Sequence, residues 1–334
     1  MRLTTLVVCV FALLRPPPGV SAELSCCARV LGSRGFSLGP ADGLPATGGY
    51  ATLKGDYVVH NFTSSGVFEV LDASGLTELE VLVVAGGGGG GTSLGSGGGG
   101  GGVLHSQSLT LQAQQYAVTV GLGGASAVEN NALAANGGDS SFGDLLVAKG
   151  GAGGKGQSFA WDTRNDNNNQ GYNYPAGGSG AGGCRNSNPG TSGTPGQGYD
   201  GGDGSDSGRF GAGGGGGAGG PGGDTTATHG GDGGVGKAFD ISGTMTYYAG
   251  GGGGGISYGA DGQDYNADDN GGKGGLGGGG DASRSFYAEG VPGLPNTGGG
   301  GGGGTIQLGG SGGSGIVIVR YHAGCQSDCA PSSR

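Results

Sequence analysis

Hydrophobic and polar residues alternate in several short stretches, first of all near the N-terminal third of the chain. Tyr57-Val58-Val59-His60-Asn61-Phe62 and Val67-Phe68-Glu69-Val70-Leu71 flank Thr63-Ser64-Ser65-Gly66, a pattern that predicts a β-hairpin. Glu78 to Val84 alternates and then becomes continuously apolar, as a strand buried on both faces at one end does. Val103 to Leu111 and Tyr116 to Val120 predict further strands, and Ser140 to Ala148 predicts a strand pair. Near the far end, Ile316-Val317-Ile318-Val319-Arg320-Tyr321 is too apolar for a water-exposed edge. It is expected to close a sheet begun before residue 85. No stretch holds a 3.6-residue period with caps, so little α-helix is expected.

Between these stretches the pattern changes. Glycine supplies 95 of 334 residues, and 84 of the 95 lie between residues 86 and 315. Each glycine loses much backbone entropy on folding and buries no side chain, so a conventional core cannot fill this region. The tracts 86–91, 97–102, 213–217, 250–255, 277–280 and 298–304 are joined by phrases such as Gly230-Gly231-Asp232-Gly233-Gly234-Val235. These repeat as Gly-Gly-X, and three residues per turn is the period of the polyproline-II conformation. Without Cβ atoms such helices can pack closely and pair N–H with C=O. Collagen is excluded because Gly-X-Y with abundant proline is absent, with only 12 prolines in the chain. A flexible glycine linker is the alternative. The expected fold is therefore all-β with polyglycine-II. A small β-sandwich frame (50–85, 103–148 and 315–321) would carry an inserted bundle of polyglycine-II helices, mainly 86–102 and 149–314.

The ends speak to location. Met1-Arg2, the apolar stretch Leu3 to Leu14 and Val20-Ser21-Ala22 read as a signal peptide, residues 1–22, too short to span a bilayer. A Cys-containing extension (23–49) and a Cys-containing tail (322–334) would flank the domain at 50–321. Loss of Arg2 and Arg15 with the leader takes the formal charge from −10 to −12, against nucleic-acid binding. No membrane span is expected. Cys26, Cys27, Cys184, Cys325 and Cys329 would remain, an odd number, and pairing across the two ends would staple the domain. Asn61-Phe62-Thr63 is a glycosylation sequon.

Candidate chemistry is sparse. Gly231 to Lys237 fits a phosphate loop but is followed by Ala238, where a magnesium-holding Ser or Thr is required. Gly201-Gly202-Asp203-Gly204-Ser205-Asp206-Ser207-Gly208 resembles one calcium-binding nonapeptide, and Asp264 to Asn270 offers oxygens, but solvated Asx-rich turns explain both. Calcium is the one cofactor these leave open. His60, His105, His229 and His322 lie apart, and no catalytic arrangement is recognisable. Trp161, Arg164, Tyr172 and Tyr174 surround an Asn-rich stretch, a combination suited to sugar recognition by ring stacking and amide bonds. Tyr258, Tyr265, Phe286 and Tyr287 fall in comparable loops at 256–270 and 281–296.

The phrase Phe62-Thr63-Ser64-Ser65-Gly66-Val67-Phe68-Glu69-Val70, then Val81 to Ala85 with its six-glycine tract, Asn136 to Phe142, and the ending Gly312 to Tyr321 together resemble a known family. It is the glycine-rich domain of phage tail-fibre tips and of secreted or surface proteins, distantly similar to the glycine-rich region of the anaplastic lymphoma kinase ectodomain. The resemblance implies a β-sandwich bearing polyglycine-II helices, with recognition through loops at the bundle tip and no catalytic motif. The expected function is that of a secreted, non-enzymatic surface or matrix protein acting by recognition or adhesion. Its partners would be cell-surface or matrix glycans or proteins, or copies of itself. A self-assembling coat or fibre component and an ice-binding protein are the alternatives.

Overall fold

Two antiparallel sheets hold the strongly apolar strands, and each takes strands from distant parts of the chain. The computed structural model describes residues 37–38, 44–107, 109–129, 132–156, 176–184, 188–205, 211–256, 270–283 and 288–323. The strands are β1 (Ser37–Leu38), β2 (Ala46–Thr47), β3 (Tyr50–Lys54), β4 (Tyr57–Phe62), β5 (Gly66–Val70), β6 (Thr77–Val84), β7 (Val103–Ser106), β8 (Gln115–Thr119), β9 (Ser140–Phe142), β10 (Leu146–Ala148), β11 (Lys237–Phe239), β12 (Thr246–Tyr248) and β13 (Ile316–His322). One sheet runs β1-β3-β4-β13-β6-β7, a second β10-β9-β8-β5-β2, and β11 pairs β12 apart from both. The described helix is a single 3-10 turn, Ala73–Gly75, capped by Asp72. The fold is all-β.

The six-stranded sheet is buried on both faces, which explains its unbroken apolar runs. On β6, Leu79, Val81 and Val83 join Val317, Val319 and Tyr321 of β13 in a cluster with Phe68, Tyr116, Val118 and Phe142 from the five-stranded sheet. The alternate residues, Leu82 and Val84 with Ile316 and Ile318, pack on the opposite face against Ile241, Tyr248 and Ala249. β13 lies between β4 and β6, with Val319 opposite His60 on one side and Val81 on the other.

The expected hairpin between residues 57 and 71 does not form. β4 pairs β3 and β13, whereas β5 pairs β2 and β8 in the other sheet. Residues 63–65 carry the chain across the core instead of folding it back. Phe62 of β4 and Phe68 of β5 meet edge to face from the two sheets with centroids 6.5 Å apart. β4 forms its hairpin with β3 instead, turned at Gly55 with φ +59°.

The glycine segments lie outside strands and helices and pair with one another. Gly86 donates to Gly138, Gly87 to Gly313 and Gly88 to Gly99; three residues on, Gly89, Gly90 and Gly91 address the same three segments at Ala135, Gly310 and Ser96. The carbonyls of this tract accept from three other segments: Gly86 from Gly151, Gly87 from Gly124 and Gly88 from Gly301. One tract is thus held by six neighbours, and its backbone groups are satisfied without a sheet. No glycine of 86–91 has a positive φ, so conformational freedom is not what selects the residue here. Space does: a Cβ on Gly88 would overlap the carbonyl oxygen of Ala152. Segments 121–127 and 132–138, between β8 and β9, belong to this array too, since Gly124 donates to Gly87 and Gly137 to Gly151.

Candidate functional site

The array has two ends. Beside the sheets, Ala85 donates to Gly102, Gly101 to Gly298 and Ala249 to Thr297. At the remote end the chain turns at Thr92 to Gly95, with Ser93 and Leu94 at φ +47° and +57°. Leu94 is buried although it sits in a turn, and its amide donates to Thr305 at 2.8 Å. Thr92 Oγ1 donates to the Glu129 carbonyl at 3.0 Å. Ser283 Oγ donates to Thr305 Oγ1 at 2.7 Å and accepts from the Thr305 amide at 2.8 Å. Small hydroxyl side chains therefore lock the turns where glycine pairing ends.

Lys155, Ser205, Ile256 and Ser283 stand at this same remote end. Ser96 donates to Lys155, Ser205 pairs with Gly211 and Gly211 with Ile256, while Gly255 donates to Gly95. Each leads into a stretch outside the described residues: 157–175, 206–210, 257–269 and 284–287. Trp161, Arg164, Tyr172, Tyr174, Tyr258, Tyr265, Phe286 and Tyr287 all fall in these stretches. The third predicted loop is shorter than 281–296: Gly290 donates to Leu308, Val291 to Asp281 and Gly293 to Ser311, so residues 290–293 belong to the array.

Acidic side chains prove to have a structural task at the array's margin. Asp139 Oδ1 accepts from Gly150 and Asn136 Oδ1 from Gly153; Asp200 Oδ1 accepts from Gly193 and Asp203 Oδ1 from Gly190. Asp224 Oδ1 takes the Asp203 amide, Asp232 Oδ1 that of Lys273 and Asp281 Oδ1 that of Gly274, all at 2.7–2.8 Å. Each carboxylate or amide oxygen replaces the carbonyl that a further neighbour would have supplied. The recurring Gly-Gly-Asp phrase is the trace of this in the sequence. Desolvation of Asp139 raises its pKa, but the Lys149 ammonium at 2.8 Å and the Gly150 amide outweigh it and hold the carboxyl below its ordinary value.

Among the described residues no group of three or more His, Cys, Asp and Glu could hold a metal ion. Of the calcium candidates, Asp203 is engaged as above, and residues 206–208 and 264–269 lie outside the described residues. Cys184 is buried, with Asn188 Nδ2 donating to its Sγ at 3.5 Å. Cys26, Cys27, Cys325 and Cys329 lie outside the described residues. Asn61 is half-buried in β4, between β3 and β13.

A charge cluster lies at the side of the six-stranded sheet. Arg320 Nη2 donates to Glu80 Oε1 at 2.7 Å and lies 3.5 Å from Asp240 Oδ1, and Nη1 donates to the Asp240 carbonyl. His105 Nε2 is 3.1 Å from Glu80 Oε2, and its ring packs on Phe239. Burial pushes the Glu80 carboxyl up, but the bonds from Arg320, His105 and Gln107 prevail and hold it below its usual value. This cluster ties β6, β7 and β13 to the β11–β12 arm.

The chain matches the glycine-rich domain family over residues 63–322 and belongs to that family. No curated protein matches it. Among the described residues no helix is long and apolar enough to cross a membrane.

Proposed function

We propose that the glycine segments are polyglycine-II helices in hexagonal packing, carried by two facing sheets that form a β-sandwich frame. The three-residue recurrence of donors along Gly86 to Gly91 supports this reading. So does the burial rhythm of a marginal segment, in which Gly121, Gly124 and Ala127 are buried while Leu122, Ala125 and Val128 are exposed.

On that scaffold we infer a secreted, non-enzymatic recognition module. The carrying observation is the convergence of Lys155, Ser205, Ile256 and Ser283 on the end remote from the sheets, where each leads into a stretch of polar and aromatic sequence. Variable loops on a rigid scaffold are the common arrangement for binding. Trp161, Tyr172 and Tyr174, set among asparagines, suit sugar rings, whose apolar faces stack on aromatics and whose hydroxyls take amide bonds. The ligand class is a cell-surface or matrix glycan.

The test is a glycan array probed with the protein secreted from cells expressing the full chain, with N-terminal sequencing to locate leader cleavage. Binding that is lost in Trp161→Ala and Tyr172→Ala, with thermal unfolding unchanged, is the expected result. Large particles that dissolve on reduction, with no glycan retained, would instead favour the coat or fibre reading.

A further inference from the structure

Asn61-Phe62-Thr63 is the single Asn-X-Ser/Thr sequon of the chain, and it straddles the end of β4. Asn61 stands directly opposite Tyr50 of β3 on one side and Ile318 of β13 on the other. Residues paired in this way project from the same face of a sheet. On that face Ile318 is fully buried in the cluster with Ile241 and Tyr248, whereas Tyr50 is 53 % exposed. The β11–β12 arm comes down at the opposite end of β3, where the Gly243 backbone lies against the Lys54 side chain. Asn61 itself is half-buried, yet its side-chain amide makes no hydrogen bond among the described residues, and neither amide atom is sealed from water. Polar groups drawn into a fold are normally paired within it. This amide is left open, beside an exposed aromatic ring.

We propose that Asn61 carries an N-linked glycan whose first sugar packs on the Tyr50 ring. In the attachment step Asn61 Nδ2 gives up a proton and bonds to C1 of the reducing-end sugar. The C1–O bond to a lipid-pyrophosphate donor breaks, and the pyrophosphate keeps the electron pair. Folding order leaves the sequon within reach of the transferase. β13, one of the two neighbours of β4, is made about 250 residues after Phe62. Until then β4 has only the β3–β4 hairpin, and an isolated hairpin is marginally stable in water. Thr63, whose hydroxyl the motif requires, lies just beyond β4 and is exposed. Once the sheet closes, directly opposed residues stand about 5 Å apart at Cβ. A sugar on Asn61 then reaches the Tyr50 ring, on which the apolar face of a pyranose stacks. The inference rests on the secretion in the function proposed above, and not on the ligand named there.

Intact-mass spectrometry of the full chain secreted from eukaryotic cells, before and after peptide-N-glycosidase, tests the attachment. The expected result is the mass excess of a core oligosaccharide, removed by the enzyme, absent from Thr63→Ala and Asn61→Gln and kept in Thr63→Ser. Thermal unfolding tests the ring. Thr63→Ala leaves the Asn61 side chain in place and alters an exposed site, so its effect reports the missing glycan. It should lower the midpoint by about 2 °C, and most of that difference should vanish when both proteins also carry Tyr50→Ala. Secreted protein without the mass excess would overturn the glycan and leave secretion standing. A chain kept inside the cells with its leader uncleaved would overturn both. A midpoint difference that ignores Tyr50→Ala would overturn the packing on Tyr50.

Discussion

Asp203 Oδ1 accepts the amide of Gly190 at 2.9 Å, while the amide of Asp203 donates to Asp224 Oδ1 at 2.8 Å. A carboxylate thereby stands in for a missing backbone carbonyl, and the residue bearing it is capped in turn by the next. Asp203→Ala leaves the Gly190 amide to water and should cost about 1 kcal/mol. Asp203→Asn keeps an acceptor oxygen and should cost little. Hydrogen exchange at Gly190 resolves the two, with faster exchange expected in the alanine variant alone.

Gly88 lies in a tract held by six neighbours, and a Cβ there meets the Ala152 carbonyl oxygen. Neither segment can retreat without breaking bonds to others. Gly88→Ala should therefore cost about 3 kcal/mol or more, as overpacking of a rigid interior does. Leu122→Ala, at an exposed site of the same array, should stay within about 0.5 kcal/mol. Thermal unfolding of the two variants checks the contrast.

Glu80 titrates below its ordinary 4.5 in the folded protein because Arg320 and His105 overcome the effect of burial. Its contribution is fully present above the unfolded value and is lost as pH falls through the folded one. Glu80→Gln should lower stability at pH 7 by about 2 kcal/mol and flatten the decline below about pH 4.5. Denaturant titrations from pH 7 to pH 3 measure both.

His60 is fully buried, its Nδ1–H donating to the Gly48 carbonyl at 2.7 Å and its Nε2 3.1 Å from the Tyr321 hydroxyl. Burial lowers its pKa from 6.5, and the bond to Gly48 opposes this only in part. The unfolded chain takes up a proton that the folded one refuses, so stability is full above about pH 6.5 and falls with a slope of at most about 1.4 kcal/mol per pH unit below it. His60→Gln should remove that slope between pH 6.5 and 5. A slope unchanged in the variant would assign it to another group.

Strands such as Tyr57–Phe62 and Ile316–His322 are legible in the sequence because burial on one or both faces writes alternation or an apolar run directly into the chain. Their partners are not. Thr63-Ser64-Ser65-Gly66 suits a hairpin turn as well as a crossing between sheets, and the choice depends on which distant strands lie alongside β4. β11 and β12 hide inside the glycine region because Tyr248 is the one buried residue of their six, so burial writes no alternation into them. Locally, Asp203 looks like part of a cation loop; its actual partner, Gly190, depends on how segments assemble. The candidate site follows the same division. Its aromatic residues stand out by composition, whereas the hydroxyl locks at Thr92, Ser283 and Thr305 become visible only once the array's remote end is built.

β13 occupies the middle of the six-stranded sheet, although it is the last of the described strands. During synthesis β4 and β6 leave the ribosome about 250 and 230 residues before the strand that joins them, separations read from their positions in the chain. Until β13 arrives, two unpaired apolar edges and a glycine-rich nascent chain have to be kept apart. A chain broken off anywhere before residue 316 lacks the piece that unites the sheet, so premature termination or proteolytic trimming of that end should yield material for degradation rather than a smaller working version.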